Sequence, residues 1–306
     1  MPSPRPAWTW LLEKEWRELV SSRAFWVMLF LTGPLVGVSF ISAVTTYADL
    51  SGLNGTAAGV GEAFSPLIGI WGPTFSAYEI VAAFLLPFVG IRMVSADRQT
   101  GALKIEMQQP LSPFVRIALK GSVLLAGWGI ASLAAVATLV LWRSYGGPIH
   151  WPEIFAIALG HLLNAGLTIA LAAACASIAE HPATAAILTL AFTVGTWVVS
   201  FVAAVQGGIW ERVASYTPPV MVAAFQHGLV QADAVGIALS LVLAGLAIAA
   251  VWMKIGVSPR QRVVESFAVI GAASLIMAAA ALAPASWDAS ENRYNSFSAA
   301  DEATLE

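Results

Sequence analysis

The chain has 306 residues, 58% of them hydrophobic and only 11% charged, and its mean hydropathy is +0.77. A soluble domain carries roughly twice that charged fraction, so the composition excludes a water-soluble globular protein and predicts an all-α integral membrane fold. The net charge of −3 hides an uneven placement of Lys and Arg, and the single cysteine, Cys175, rules out an intrachain disulfide.

Taken in chain order, residues 1–6 are short and Pro-rich, and the next residues are charged rather than apolar, unlike a cleavable signal peptide. Residues 7–22 read as a helix lying on the membrane, and residues 1–23 form the first unit. Trp8, Leu11, Leu12, Trp16, Leu19 and Val20 share one face, opposite Glu13, Lys14, Arg17 and Glu18. Tryptophan and leucine facing mixed charge is the pattern of an interfacial helix, with membrane lipid as its partner. Trp8, Leu12, Trp16 and Arg17 are its expected contacts. The alternative is a cytoplasmic helix packed on its neighbours.

Seven apolar segments of membrane-spanning length come next, at about 24–47, 76–95, 121–142, 154–179, 183–205, 234–254 and 266–285. Pro34 and Pro87 are expected to kink the first two. Tryptophans near the segment ends, among them Trp26, Trp71, Trp142 and Trp252, fit an aromatic belt.

Between the second and third segments lies a basic passage, residues 92–120, holding Arg92, Arg98, Lys104, Arg116 and Lys120. Gly101 early and Pro110-Leu111-Ser112-Pro113 late give it a helix-break-helix grammar. If the N-terminus is cytoplasmic, twelve of the fifteen Lys and Arg fall on that side. Only Arg143, Arg212 and Arg293 fall outside, so the positive-inside rule supports this orientation.

Two outer connections are long enough to hold structure. Residues 49–75 are rich in Gly and lack Lys and Arg, while in 206–233 Pro218-Pro219 is expected to open a short helix running to Val230. In the fourth span His161 and Asn164 share a face. In the fifth, Thr189, Thr193, Thr196 and Ser200 hold one face at 4-3-4 spacing. That stripe suits a helix-helix or subunit seam, and equally the wall of a semi-polar conduit. The tail, 287–306, is polar and acidic and lies outside on this topology.

No enzyme motif is present. The four lysines are followed by Glu, Ile, Gly and Ile, so there is no Walker A Gly-Lys-Ser/Thr, and there is no CxxC, HExxH or G-x-S-x-G. The four scattered histidines do not make a haem pair. We expect no catalytic residue, metal or cofactor in this chain, and no nucleic-acid partner.

Asp97-Arg98, Gly101-Ala102, Leu103-Lys104, Pro110-Leu111-Ser112 and Leu119-Lys120 resemble, in matching register, the cytoplasmic segment between the second and third spans of type-2 ABC transporter permeases. Ala102, Lys104 and Leu119 depart from the usual threonine, glutamate and glycine. The helix at 7–22 is similar to that family's connecting helix, and Tyr216–Asp233 to its outer segment. The subfamily closest in pattern is the nitrous-oxide-reductase maturation and gliding-motility permease. Trp287-Asp-Ala-Ser-Glu-Asn-Arg-Tyr-Asn-Ser-Phe-Ser resembles the start of a gliding-type auxiliary subunit.

The resemblance implies a six-span permease domain over 24–255, a linker and seventh span over 256–286, and a location in the bacterial inner membrane. It implies a coupling segment at 96–118 in which Asp97, Arg98, Gly101, Lys104, Gln108, Pro110, Leu111 and Ser112 dock a separate ATPase dimer that binds ATP and Mg. It also implies a second permease copy or homologue, with the first and fifth spans at the seam. A mechanical or assembly subunit acting on an extracytoplasmic auxiliary partner, without moving a substrate, is the alternative. A secondary transporter would need buried ionisable groups beyond His161 and Glu79.

Overall fold

A computed structural model describes residues 6–50 and 66–290. Among them, seven helical stretches are long and apolar enough to cross a membrane, agreeing in number and place with the sequence pattern. The N-terminal helix α1 (Ala7–Ser21) precedes α2 (Arg23–Leu50), which carries Pro34 without a break. The second crossing starts with a π-helical turn, Leu67–Trp71, and continues through α3 (Gly72–Phe84) and α4 (Leu86–Thr100). It therefore begins nine residues before the expected 76, inside the segment taken for an outer loop. Residues 51–65 of that loop lie outside the described residues. The expected interruption at Pro87 is present, with Leu85 separating α3 from α4.

After the short α5 (Ala102–Glu106), the third crossing is split at Ser132 into α6 (Pro113–Ala131) and α7 (Leu133–Ser144). Ser132 turns its hydroxyl onto the Gly129 carbonyl at 2.6 Å, drawing one helical acceptor away from the regular ladder. The crossings α8 (Trp151–Ile178) and α9 (Pro182–Gln206) are unbroken. In the outer segment the expected helix ends at Gln226 rather than Val230: α10 (Ile209–Ala214) and α11 (Pro218–Gln226) are followed by the two-residue strand β1 (Leu229–Val230). The sixth and seventh crossings are α12 (Ala232–Trp252) and α13 (Pro259–Ala280).

Strand β2 (Ala289–Ser290) pairs antiparallel with β1, Leu229 opposite Ser290, and Asp288 accepts a hydrogen bond from the Ala232 backbone N–H at 2.9 Å. The start of the tail is thus fastened to the loop before α12. The remaining tail residues, 291–306, are outside the described part.

Helix α8 is the centre of the bundle, touched by α4, α6, α9, α11 and α12. Its small residues allow this: Ala165, Ala170, Ala172, Ala173 and Ala176 are all buried, so neighbouring helices approach closely. One core cluster joins Leu19, Phe25, Tyr78, Val89, Trp128 and Ile169; another joins Phe40, Ile70, Trp71 and Leu139. Trp71 is buried there, stacked on Phe40 at 6.1 Å, and so is a core residue rather than part of an interfacial belt. Helix α13 packs on α12 and leaves most of its surface uncovered.

Candidate functional site

The basic passage folds as its grammar predicts. Helix α4 stops because Gly101 takes a left-handed conformation, φ 77°, and α6 starts where the Ser112 hydroxyl accepts from the Val115 N–H at 3.3 Å with Pro113 at the first helical position. Between them α5 has two faces. Leu103 and Met107 pack on the Ile91, Val94 and Ile117 cluster and Glu106 is buried, while Lys104, Ile105 and Gln108 point outward. That division follows the i, i+3, i+4 rule of a helix. Ile105 is 69% exposed, and Phe114 and Val115 at the start of α6 are also exposed.

No atom lies within 4 Å of a Cβ added at Gly101, so its replacement by alanine tests backbone conformation alone. Gly101→Ala is expected to lower stability by about 1–2 kcal/mol, the cost of a left-handed non-glycine residue, measured by thermal unfolding in detergent.

Beneath α5 lies a cluster of five charges drawn from four elements. Lys120 of α6, 1% exposed, bonds to Glu15 of α1 and to Asp97 of α4, with Glu106 of α5 at 3.9 Å. Lys14 of α1 bonds to Asp97 at 2.7 Å and to Glu106, with Glu15 and Glu18 at 3.2 Å. Asp97 bridges the two ammonium groups with its two oxygens. The three carboxylates converge closely enough to suit a cation, and the lysines fill that role. Arg116 adds a third positive charge near Glu106 and clamps the turn, its Nη2 donating to the Gln109 carbonyl at 2.6 Å.

The electrostatics follow from burial. Desolvation pushes the Glu15 carboxyl above its ordinary range against the pull of Lys120 and Lys14. For Lys14 burial acts downward, but the hydrogen bonds to Asp97 and Glu106 outweigh it and hold the ammonium above its usual value. A raised lysine contributes its stabilisation in full below the unfolded-state value of 10.5 and loses it only as pH climbs through the folded value. Lys14 therefore stays charged throughout the physiological range.

The sequence-predicted docking residues separate into two groups. Lys104, Gln108, Pro110 and Ser112 are exposed and Leu111 is half-buried. Asp97 is buried in the charge cluster. Arg98 spans to α8, its Nη1 donating to the carbonyls of Ala176, Ser177 and Ala179 at 2.8–3.1 Å, groups that a helix end leaves unpaired. Asp97 ties the turn from within, and Arg98, itself exposed, ties it along the surface to the end of α8.

On α1, Leu11, Glu15 and Leu19 face inward and Leu12 is half-buried, while Trp8, Trp10, Trp16 and Arg17 are exposed. The face predicted to meet lipid is thus divided: Trp8 and Trp16 are exposed, while Leu11 and Leu19 are buried and α1 packs on α2, α4 and α6. Glu15 was not among the predicted polar residues, although it lies four residues from both Leu11 and Leu19, in the apolar stripe.

No family model matches this chain, and neither does any curated protein or solved structure.

The span residues also divide. His161 is enclosed by Phe75 and Tyr78, ring centroids at 5.5 and 5.7 Å, with Gln226 at 3.4 Å. Asn164, three residues on, instead lines a separate cavity of about 660 Å³ with Thr168, Thr193 and Thr196. Thr189 is buried, and Ser200 meets Thr217 at 3.2 Å. The hydroxyl stripe of α9 thus turns toward its own chain.

Proposed function

We propose that this chain is the membrane (permease) subunit of an ATP-binding cassette transporter in the bacterial inner membrane, driven by a separate ATPase that docks on α5 and the turn to Pro113. The observation that carries the reading is the two-sided build of this passage. It offers Lys104, Ile105 and Gln108 outward and is tied inward through buried charges to α1, α4 and α6.

A load applied to α5 is transmitted, because breaking the bonds of buried Lys120 to Glu15 and Asp97 strands charge away from water. Arg98 extends the tie to the end of α8. Closure of the ATPase dimer around ATP and Mg would draw two such turns together and tilt the attached spans. Energy enters by this route because the chain has no Walker A sequence. The N-terminus and α5 are then cytoplasmic and the tail extracytoplasmic. A second copy or homologue packs against the uncovered faces of α2 and α9, which flank α3 and α4; Phe30, Ile41, Ile187 and Phe201 are exposed there.

The alternative, a mechanotransmitting or assembly subunit, is favoured by one feature. The pairing of β1 with β2 and the Asp288–Ala232 bond connect the bundle to the start of the polar tail. Motion of α12 would be passed to an extracytoplasmic auxiliary partner there.

Reconstitution with the ATPase separates the readings. ATP hydrolysis stimulated by a substrate that accumulates across the vesicle membrane supports transport. Hydrolysis that depends on the outer partner, with no solute moved, supports the mechanical subunit. An ATPase that neither binds the chain nor responds to it overturns both.

A further inference from the structure

The cavity of about 660 Å³ lies among the membrane-spanning helices, walled by α3, α8, α9, α12 and α13, with Tyr216 and Thr217 also in its lining. Its size is that of a pocket for one drug-sized ligand. Most of the wall is apolar, yet it contains a carboxyl group. Among the described residues Glu79 of α3 is the one charged residue lining it, and it has no hydrogen bond or ion pair to any of them. A carboxylate facing an apolar cavity without a partner is costly to keep there.

The other polar lining residues include Asn164, Thr168, Trp197, Tyr216 and Ser274, and among the rest Thr193 and Thr196 have hydroxyls of definite sense. Thr193 Oγ1 donates to the Leu190 carbonyl at 3.2 Å and Thr196 Oγ1 to the Thr193 carbonyl at 2.7 Å. With those hydrogens committed, each hydroxyl can offer the cavity only an acceptor. Carboxylate and hydroxyl oxygens together ask for a ligand rich in donors and positively charged. One carboxylate is too few for a hard metal ion, which takes six or more oxygens, and an anion would be repelled. Helices α9 and α13 both line the cavity yet make few contacts with each other, and a molecule dissolved in the bilayer would enter between them.

We propose that this cavity binds a membrane-soluble molecule with an ammonium group on an apolar body, the ammonium held by Glu79 and the oxygens of Thr193 and Thr196. The site does not depend on the ATPase reading, and its test is a binding measurement on the full chain alone.

The chain is placed in phosphatidylcholine nanodiscs and titrated with radiolabelled dodecylammonium, with empty nanodiscs subtracted and dodecanol and dodecyl sulfate as uncharged and anionic competitors. The expected result is saturable binding of one dodecylammonium per chain, displaced by neither competitor. Glu79→Gln should weaken it at least tenfold. Gly195, on the α9 wall, has no atom within 4 Å of an added Cβ, so Gly195→Phe fills the cavity without a backbone clash and should also abolish binding. Nanodiscs containing phosphatidylethanolamine distinguish the sources: competition by that lipid assigns the site to an aminolipid head, and lack of it to a free lipophilic amine. Absence of saturable binding, equal displacement by dodecanol, or unchanged affinity in Glu79→Gln would overturn the proposal.

Discussion

Lys120→Met is expected to destabilise the chain by about 3–5 kcal/mol, the largest effect of any single substitution in the passage. Its ammonium is buried and holds Glu15 and Asp97 together, so truncation leaves both carboxylates with less compensation away from water. Methionine fills much of the same volume, so the loss is electrostatic rather than a cavity. Lys14→Met should cost less, because that side chain is partly exposed and water can replace some of its bonds. Adding Glu15→Gln to Lys120→Met removes one charge of each sign and should recover a good part of the loss. Thermal unfolding of the wild type, Lys120→Met, Glu15→Gln and the double variant in one detergent gives the coupling energy directly. If Lys120→Met unfolds like the wild type, the cluster does not hold the passage together.

Ile105→Glu addresses the outward face. The side chain projects from α5 without contributing to the core, so the substitution should leave folding within about 0.5 kcal/mol of wild type. An exposed isoleucine on a rigid turn is the kind of anchor that fills a partner's pocket. Placing a charge there should weaken ATPase binding by about 2 kcal/mol, roughly 30-fold. The contrast between the two substitutions is informative: Lys120→Met alters stability, and Ile105→Glu alters association alone. Equilibrium binding of the purified ATPase to both variants measures it, and an Ile105→Glu variant that binds like wild type removes α5 from the docking surface.

Much of the fold could be read from the chain because membrane crossing is a local property of length and hydropathy. All seven crossings, Gly101 and the Ser112-Pro113 start of α6 are signalled by residues adjacent to the structure they produce. Errors arose where the signal was weak or distributed. The second crossing starts at Leu67 because Leu67, Ile70 and Trp71 bury against Phe40 and Leu139, contacts that a Gly-rich stretch does not advertise.

The charge cluster was invisible for a different reason. Glu15, Asp97, Glu106 and Lys120 come from four elements separated by up to 105 positions, and each alone reads as a surface charge. The nearest hint was Glu15 itself, an acid in the apolar stripe of an amphipathic helix. Asn164 was recognised as sharing a face of α8 with His161, but not as part of the wall of a cavity, since that wall also needs Glu79 on α3 and the packing of α13 on α12.

The central claim is that α5 receives an ATPase, and site-directed cross-linking tests it most directly. Ile105→Cys in a Cys175→Ala background puts the sole thiol on the outward face of α5. A short thiol-reactive cross-linker is added to native membranes and the adduct identified by mass spectrometry. The account predicts one dominant adduct, to a protein carrying a Gly-Lys-Ser/Thr nucleotide site, with a yield that changes when ATP is added. A folded chain whose α5 thiol is labelled by small reagents but never joins a nucleotide-binding protein would contradict it.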